Sequence, residues 1–246
     1  MERRAVLVNG WRPATVVAAE MEIQTARTLR LRLPDCGRVL PGQHIDIRLT
    51  AEDGYQAVRS YSIAAATGDD LLETTVEELQ DGEVSPYLVY DLLVGDQVEV
   101  RGPIGRWFTW RPNEQNPVQL IASGSGVVPL MSMIREHEQT SSQAPFRLFY
   151  SLRTSASRYY AQELESLVVA SERLRVDYVY TRQAPELSIR PAGRPDIGEF
   201  AAALIPVDLD PQVRVCGPTA FVEQYAQWLL DLGYPAANIR TERFGG

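Results

Sequence analysis

Four consecutive residues, Arg59-Ser60-Tyr61-Ser62, put a guanidinium, an aromatic ring and two hydroxyls into one short segment. On a strand, alternate side chains share a face, so Arg59 stands with Tyr61 and Ser60 with Ser62. Such a set can meet a phosphate, a planar ring and a ring heteroatom. It equally describes an ordinary strand with one surface arginine. Gly124-Ser125-Gly126-Val127-Val128-Pro129 carries a different chemistry. Glycines between a strand and a helix let backbone N–H groups approach an anion at the positive helix end, which suits a pyrophosphate. Pro129 replaces the third glycine of the usual dinucleotide fingerprint, and a lone Gly-x-Gly also describes any tight strand–helix turn. Cys216-Gly217-Pro218-Thr219 forms a second such corner, with Pro218 suited to a first helical turn and Gly217 leaving the backbone accessible. Cys216 either faces a ligand crevice there or serves as a small buried apolar residue. Gly82-Glu83-Val84-Ser85-Pro86-Tyr87 reads as a loop, an N-cap serine and an N1 proline opening a short helix to about Tyr90. That start can receive a phosphate as well as make an ordinary cap.

Two kinds of element must position these residues. Leu29, Leu31 and Leu33 alternate with Thr28, Arg30 and Arg32, while Ile45, Ile47 and Leu49 alternate with His44, Asp46 and Arg48. That period of two predicts half-buried antiparallel strands, joined by the turn signals at 34–37 and 41–42. Further strands are expected over 14–22, 59–65, 71–79 and 97–101, which makes about six in all and suggests a small barrel or sandwich. The polar stretch 111–117, with two prolines, reads as a linker. Beyond it, strands over 118–122, 146–150, 174–180 and 213–216 alternate with helical periodicity. The helix faces are Val127, Leu130, Met131 and Ile134, then Tyr160, Leu164, Leu167 and Val168, then Val222, Tyr225 and Leu229. Alternating strand and helix predicts a parallel, doubly wound sheet whose ligand crevice lies at the carboxyl edge. The expected boundaries are 1–111 for the β domain and 112–246 for the α/β domain.

Composition removes several chemistries. All 24 basic residues are arginine, so no P-loop, Schiff-base or kinase-type lysine is available. Phosphates and carboxylates must be met by arginine, backbone N–H groups or hydroxyls. Cys36 and Cys216 are too few for an iron–sulfur cluster, and His44 and His137 lack partners at zinc spacing. Both histidines are expected at the surface or at strand edges, and no metal site is predicted. No serine–histidine–aspartate set or paired carboxylates are recognisable, so hydrolase chemistry has no signal. No apolar run reaches the ~20 residues that cross a bilayer, and the start is too short in apolar residues for a signal peptide. The expected location is the cytoplasm. The net charge of −8 disfavours nucleic acid, yet it is uneven: residues 1–48 carry 8 arginines against 5 acids, and residues 49–100 carry 1 against 12.

Taken in order, these motifs resemble the ferredoxin–NADP⁺ reductase family of flavoproteins. The resemblance rests on 59–62, Gly82-Glu83-Val84-Ser85, Gly102-Pro103-Ile104-Gly105, 124–129, Cys216-Gly217-Pro218 and the ending Glu242-Arg243-Phe244-Gly245. It implies a six-stranded antiparallel Greek-key barrel that binds FAD, followed by an α/β domain that binds a nicotinamide nucleotide. By that likeness Arg59 neutralises the FAD pyrophosphate, Tyr61 packs on the flavin and Ser62 hydrogen-bonds near its N5. Ser60, Val76, Gly82, Val84 and Ser85 complete the FAD contacts, with Ser85 and its helix end on the pyrophosphate. Gly124, Gly126, Val127, Pro129, Gly217 and Pro218 shape the nicotinamide-nucleotide site. Ser62, Cys216 and Glu242 border hydride transfer, and Phe244 covers the flavin until nicotinamide displaces it. Val128 stands where many members carry threonine, and the iron–sulfur module fused to some relatives is not expected.

The loop 150–159 offers Arg153, Arg158 and several hydroxyls, and Thr181-Arg182 follows the next strand. With no acidic residue in that loop to repel a 2′-phosphate, NADPH is favoured over NADH. The implied reaction takes hydride from NADPH onto FAD and passes single electrons to a separate ferredoxin-like protein, haem protein or oxygenase component. Arg3, Arg4, Arg12, Arg27, Arg30, Arg32 and Arg38 are candidates for docking an acidic carrier. A reductase of small acceptors such as free flavin or quinone, and a non-catalytic electron-transfer subunit, are the alternatives.

Overall fold

The computed structural model describes residues 10–68 and 70–244. Arg3, Arg4 and Gly245 lie outside the described residues. The chain divides into two compact units, one running to Trp110 together with Met131–Met133, the other comprising Arg111–Leu130 and Ile134 onward.

The first unit is a closed antiparallel barrel of β1 (Arg12–Ile23), β2 (Ala26–Arg32), β3 (His44–Thr50), β4 (Gln56–Thr67), β5 (Leu71–Glu77) and β6 (Gln97–Ile104). Its order, β1-β2-β5-β4-β3-β6, is a Greek-key path in which the β3–β4–β5 meander lies between β2 and β6. The expected alternation holds: Leu29, Leu31, Ile45 and Ile47 are fully buried in the barrel core. Asp46, on the opposite face of β3, is buried as well. It accepts hydrogen bonds from Ser60 Oγ at 2.6 Å and Arg101 Nη2 at 2.6 Å. A carboxylate tolerates burial when charge-assisted donors satisfy it in this way.

The second unit is a five-stranded parallel sheet of β7 (Val118–Ser123), β8 (Phe146–Leu152), β9 (Leu174–Tyr180), β10 (Gln212–Pro218) and β11 (Ile239–Phe244), ordered β11-β10-β7-β8-β9. Helices α1 (Val127–Gln139), α2 (Ala161–Ala170), α3 (Ile197–Ala202) and α4 (Thr219–Asp231) connect the strands. The apolar faces expected on α1 and α4 are buried. The α2 face is narrower than its spacing suggested. Leu164 is buried, Leu167 is half-buried and Val168 is 40% exposed, while Tyr160 precedes the helix in a left-handed conformation with φ 54°. Strand β11 and helix α3 escaped the sequence reading because both are short and lack a clear apolar period.

His137 is a correction as well. It is fully buried near the end of α1, with Nδ1 2.8 Å from Glu138 and Nε2 2.9 Å from the Ala144 carbonyl. Its ring stacks near Phe146 at 4.2 Å between centroids. Helical spacing put it on the same buried stripe as Leu130 and Ile134.

Candidate functional site

In the parallel sheet the chain moves from β7 outward through β8 to β9, then crosses back to place β10 on the other side of β7. The gap between the carboxyl ends of β7 and β10 is therefore the topological switch point, where ligands bind in open α/β sheets. Both glycine corners of the sequence flank it. Strand pairing brings Cys216 beside Ala122, so Gly124–Gly126 and Gly217–Pro218 follow from adjacent strand ends. They open α1 and α4, and neither helix has an acidic residue in its first turn to oppose an anion.

The two glycines of the first corner do different work. Gly124 has φ +54°, and a Cβ built there would meet nothing within 4 Å, so the space above it is open to a ligand. Gly126 is in the opposite situation: a Cβ would collide with the Cys216 carbonyl. Gly217 is equally confined, with Phe221 Cδ1 2.9 Å and Ser123 Cβ 3.1 Å from a built Cβ. These close approaches let the two backbone corners sit side by side. Val127, Val128 and Pro129 at the start of α1 are buried.

One residue missed by the sequence reading fixes this corner. Tyr150 in β8 is fully buried, and its hydroxyl donates to the Gly124 carbonyl at 3.1 Å. The same hydroxyl accepts the Tyr159 N–H at 3.4 Å, tying the loop after β8 to the glycine corner. Burial pushes the Tyr150 phenol well above its ordinary range, keeping it a donor. Its signal in the sequence was only a tyrosine in an apolar strand.

Cys216 is 1% exposed and pairs with Glu242 across the parallel β10–β11 ladder. Burial raises its thiol well above the ordinary value, and the Glu242 charge adds to this. The sequence left open whether Cys216 faced the crevice. The structure makes it a buried thiol whose ionisation is disfavoured. Phe244 ends β11 beside Pro218 and is 39% exposed.

Arg153 and Arg182 come together at the carboxyl ends of β8 and β9. The Arg182 N–H donates to the Arg153 carbonyl at 3.0 Å, and both side chains are exposed. Arg158 is less available, because it is paired with Glu165 at 2.7 Å and lies 5.6 Å over the Tyr178 ring.

In the barrel, β4 lies opposite β3 with Tyr61 facing Ile45 and Arg59 facing Ile47. Cross-strand partners share a face, so Arg59 and Tyr61 are on one side, with Ser60 and Ser62 on the other. Tyr61 packs against the barrel core, and burial raises its phenol strongly. Ser62 is half-buried opposite His44, and its carbonyl accepts the Thr74 hydroxyl at 2.8 Å. The Ser60 hydroxyl is already committed to Asp46. Val76 and Val84 are fully buried in the barrel core, leaving only their backbone to a ligand.

The loop 79–85 is tightly built. The Leu79 N–H donates to Ser85 Oγ at 2.9 Å, and the Gly82 N–H donates to the Leu79 carbonyl at 2.8 Å. A Cβ on Gly82 would sit 2.9 Å from both Ser85 Oγ and the Leu79 carbonyl oxygen. The first helical hydrogen bond runs from Leu88 to the Val84 carbonyl. The short helix Tyr87–Asp91 has Pro86 at its N-cap and no side-chain cap, and Ser85, expected there, turns its hydroxyl back to close the loop. Arg59 Nη2 is 2.9 Å from Glu83 Oε2, and the Tyr55 hydroxyl donates to Glu83 Oε1 at 3.0 Å.

These residues fit FAD in one respect that the structure displays directly. Arg59 reaches the carboxylate of Glu83, within the 82–85 loop, and is half exposed while doing so. A guanidinium placed to hold a carboxylate there has the donor geometry to hold a diphosphate. The docking arginines fare differently. Arg12 donates to the Pro34 and Gly102 carbonyls, Arg27 to those of Val89 and Leu92, and Arg30 pairs with Glu73. Arg32 and Arg38 are exposed. Among the described residues, no helix is long and apolar enough to cross a membrane.

Comparison with known proteins agrees with this division of labour. Residues 13–109 match the oxidoreductase FAD-binding domain family, and residues 120–227 match the oxidoreductase NAD-binding domain family. One of the subunits of the 1,2-phenylacetyl-CoA epoxidase of Escherichia coli is 29% identical over 94% of this chain and 67% of its own length. The ferredoxin–NAD(P)(+) reductase component of the naphthalene 1,2-dioxygenase/salicylate 5-hydroxylase systems of a Ralstonia species is 26% identical over 94% of this chain and 68% of its own. The chain thus spans about two thirds of these relatives. The FAD/NAD-binding domain of nitric oxide dioxygenase from Vibrio cholerae superposes with a TM-score of 0.84, at 25% identity, over 96% of this chain and 99% of that domain. A closed antiparallel barrel followed by a parallel sheet, and both domain matches in sequence order, lead to one conclusion. The chain belongs to the ferredoxin–NADP⁺ reductase family of FAD-dependent NAD(P)H oxidoreductases.

Proposed function

We propose that this chain takes hydride from NADPH and delivers electrons one at a time to a separate protein, a ferredoxin-like carrier, a haem protein or an oxygenase component. The observation that carries this reading is the presence of FAD-binding and NAD-binding domains in one chain whose relatives are named as part of an epoxidase and as a reductase component of a dioxygenase system. FAD, when bound, accepts a hydride and releases its electrons singly, so it links a two-electron donor to a one-electron acceptor. The protein supplies binding and orientation.

In this reading residues 1–111 form the FAD domain and 112–246 the nicotinamide-nucleotide domain. Arg59 and the 82–85 loop take the FAD pyrophosphate. Tyr61 packs beside the flavin, and Ser62 donates toward it. Gly124, Gly126, Gly217 and Pro218 admit the coenzyme pyrophosphate to the ends of α1 and α4. Arg153 and Arg182 receive the 2′-phosphate, a role supported by their exposed, backbone-linked placement. Glu242 and the neutral Cys216 border the nicotinamide. We place the protein in the cytoplasm, a reading supported by its two free cysteines.

The test is NADPH-driven turnover with purified acceptors. Reduction of a plant-type ferredoxin or a haem protein far above that of free flavin or quinone supports the proposal. Efficient turnover with small acceptors alone assigns a small-acceptor reductase. Flavin content without any NADPH-dependent dye reduction assigns a non-catalytic electron-transfer role.

A further inference from the structure

The Arg59 guanidinium is paired within the chain. It holds Glu83, whose second carboxylate oxygen is held by Tyr55. Glu83 stands between Gly82 and Ser85, in a loop locked by the Leu79–Ser85 and Gly82–Leu79 hydrogen bonds. Those hydrogen bonds hold the loop backbone, so a change of side-chain rotamer is the simplest way for the pair to part. Both partners are about half exposed, at 48% and 49%, so the pair is readily exchanged for another anion. A carboxylate held by the same arginine that is assigned to a diphosphate is a like charge at the same donor.

We propose that Glu83 is an internal placeholder for the FAD pyrophosphate: it occupies Arg59 in the flavin-free protein, must yield it on binding, and so lowers FAD affinity. This rests on the assignment of Arg59 to FAD given above. Tyr55 is the second half of the device, because its hydroxyl keeps the Glu83 carboxylate turned toward Arg59. The consequence is a flavin held more loosely than the arginine alone would hold it.

The experiment measures FAD affinity directly, by titrating the flavin-free full chain with FAD and following quenching of flavin fluorescence. Glu83→Gln keeps the side-chain shape and removes the charge. It should tighten FAD by about fivefold. Tyr55→Phe should tighten FAD by a smaller factor. In an Arg59→Gln background, Glu83→Gln should lose most of its effect. Unchanged or weaker FAD binding in Glu83→Gln would overturn the proposal and make Glu83 a residue that positions Arg59 for FAD. An equal gain with and without Arg59 would also overturn it, since the effect would then be general repulsion. If the wild-type chain takes up no FAD, the assignment of the FAD site fails instead, and separately.

Discussion

Arg59 and Glu83 meet at 2.9 Å although they come from different parts of the barrel, one on β4 and one in the loop after β5. In the proposed reading, that contact marks where the FAD pyrophosphate is received. Replacing Arg59 with alanine should weaken FAD binding by about 10- to 100-fold, the range for losing a charge-assisted hydrogen bond. Equilibrium dialysis of FAD against the flavin-free variant measures it. Circular dichroism should show an intact fold, because Arg59 is exposed.

Gly126 allows the two glycine corners to touch. Gly126→Ala would drive a methyl group into the Cys216 carbonyl. The variant should lose about 1–3 kcal/mol of stability and bind NADP⁺ roughly tenfold more weakly. Gly124→Ala is the informative control. Its Cβ meets no atom, but its positive φ strains alanine, so its stability cost should be about 1 kcal/mol. Thermal melts and coenzyme titrations separate the two.

Arg153→Ala and Arg182→Ala should each weaken NADPH by about tenfold and leave NADH within about twofold. Arg158→Ala should matter less, because Glu165 already neutralises that guanidinium. Parallel KM measurements with the two coenzymes test this, and equal losses for both would remove the 2′-phosphate from these residues.

Acid should weaken the barrel in two stages. Burial lowers the His44 imidazole, against the pull of Asp46, so the native state prefers it neutral. Stability linked to His44 is present above about pH 6.5 and is lost as pH falls through its lower folded value. For Asp46, burial raises the carboxyl, but the hydrogen bonds from Ser60 and Arg101 and the charge of Arg101 outweigh it, leaving a net lowering. Its contribution is present above about pH 4 and fades as pH falls further. Urea melts from about pH 8 to about pH 3 should show both losses. His44→Asn should remove the first, and Asp46→Asn should cost about 2 kcal/mol at neutral pH.

Both thiols should be slow toward alkylation. Burial raises Cys36, helped by Asp70, and raises Cys216 strongly, helped by Glu242. At about pH 8, iodoacetamide should label Cys36 slowly and leave Cys216 untouched until the protein unfolds, as peptide mass mapping would show.

Much of this site was legible from the residues. Period-two leucines and isoleucines marked β2 and β3, and the glycines of 124–126 and 217 marked two corners whose adjacency follows from a parallel sheet with a switch point. The partners that aim the site were not legible. Nothing local to Glu83 or Tyr55 says that a barrel will bring them to Arg59, and Tyr150 looks like any buried strand aromatic. The docking arginines illustrate the converse. A sequence counts charges, but only packing reveals that Arg12 and Arg27 are engaged by backbone carbonyls.

The visible spectrum of the purified full chain, recorded without oxygen before and after NADPH, is the decisive measurement. Flavin absorbance should be present, and NADPH should bleach it rapidly while NADH bleaches it more slowly at equal concentration. A protein that takes up no flavin, or whose flavin neither coenzyme reduces, would contradict an FAD-dependent NAD(P)H oxidoreductase.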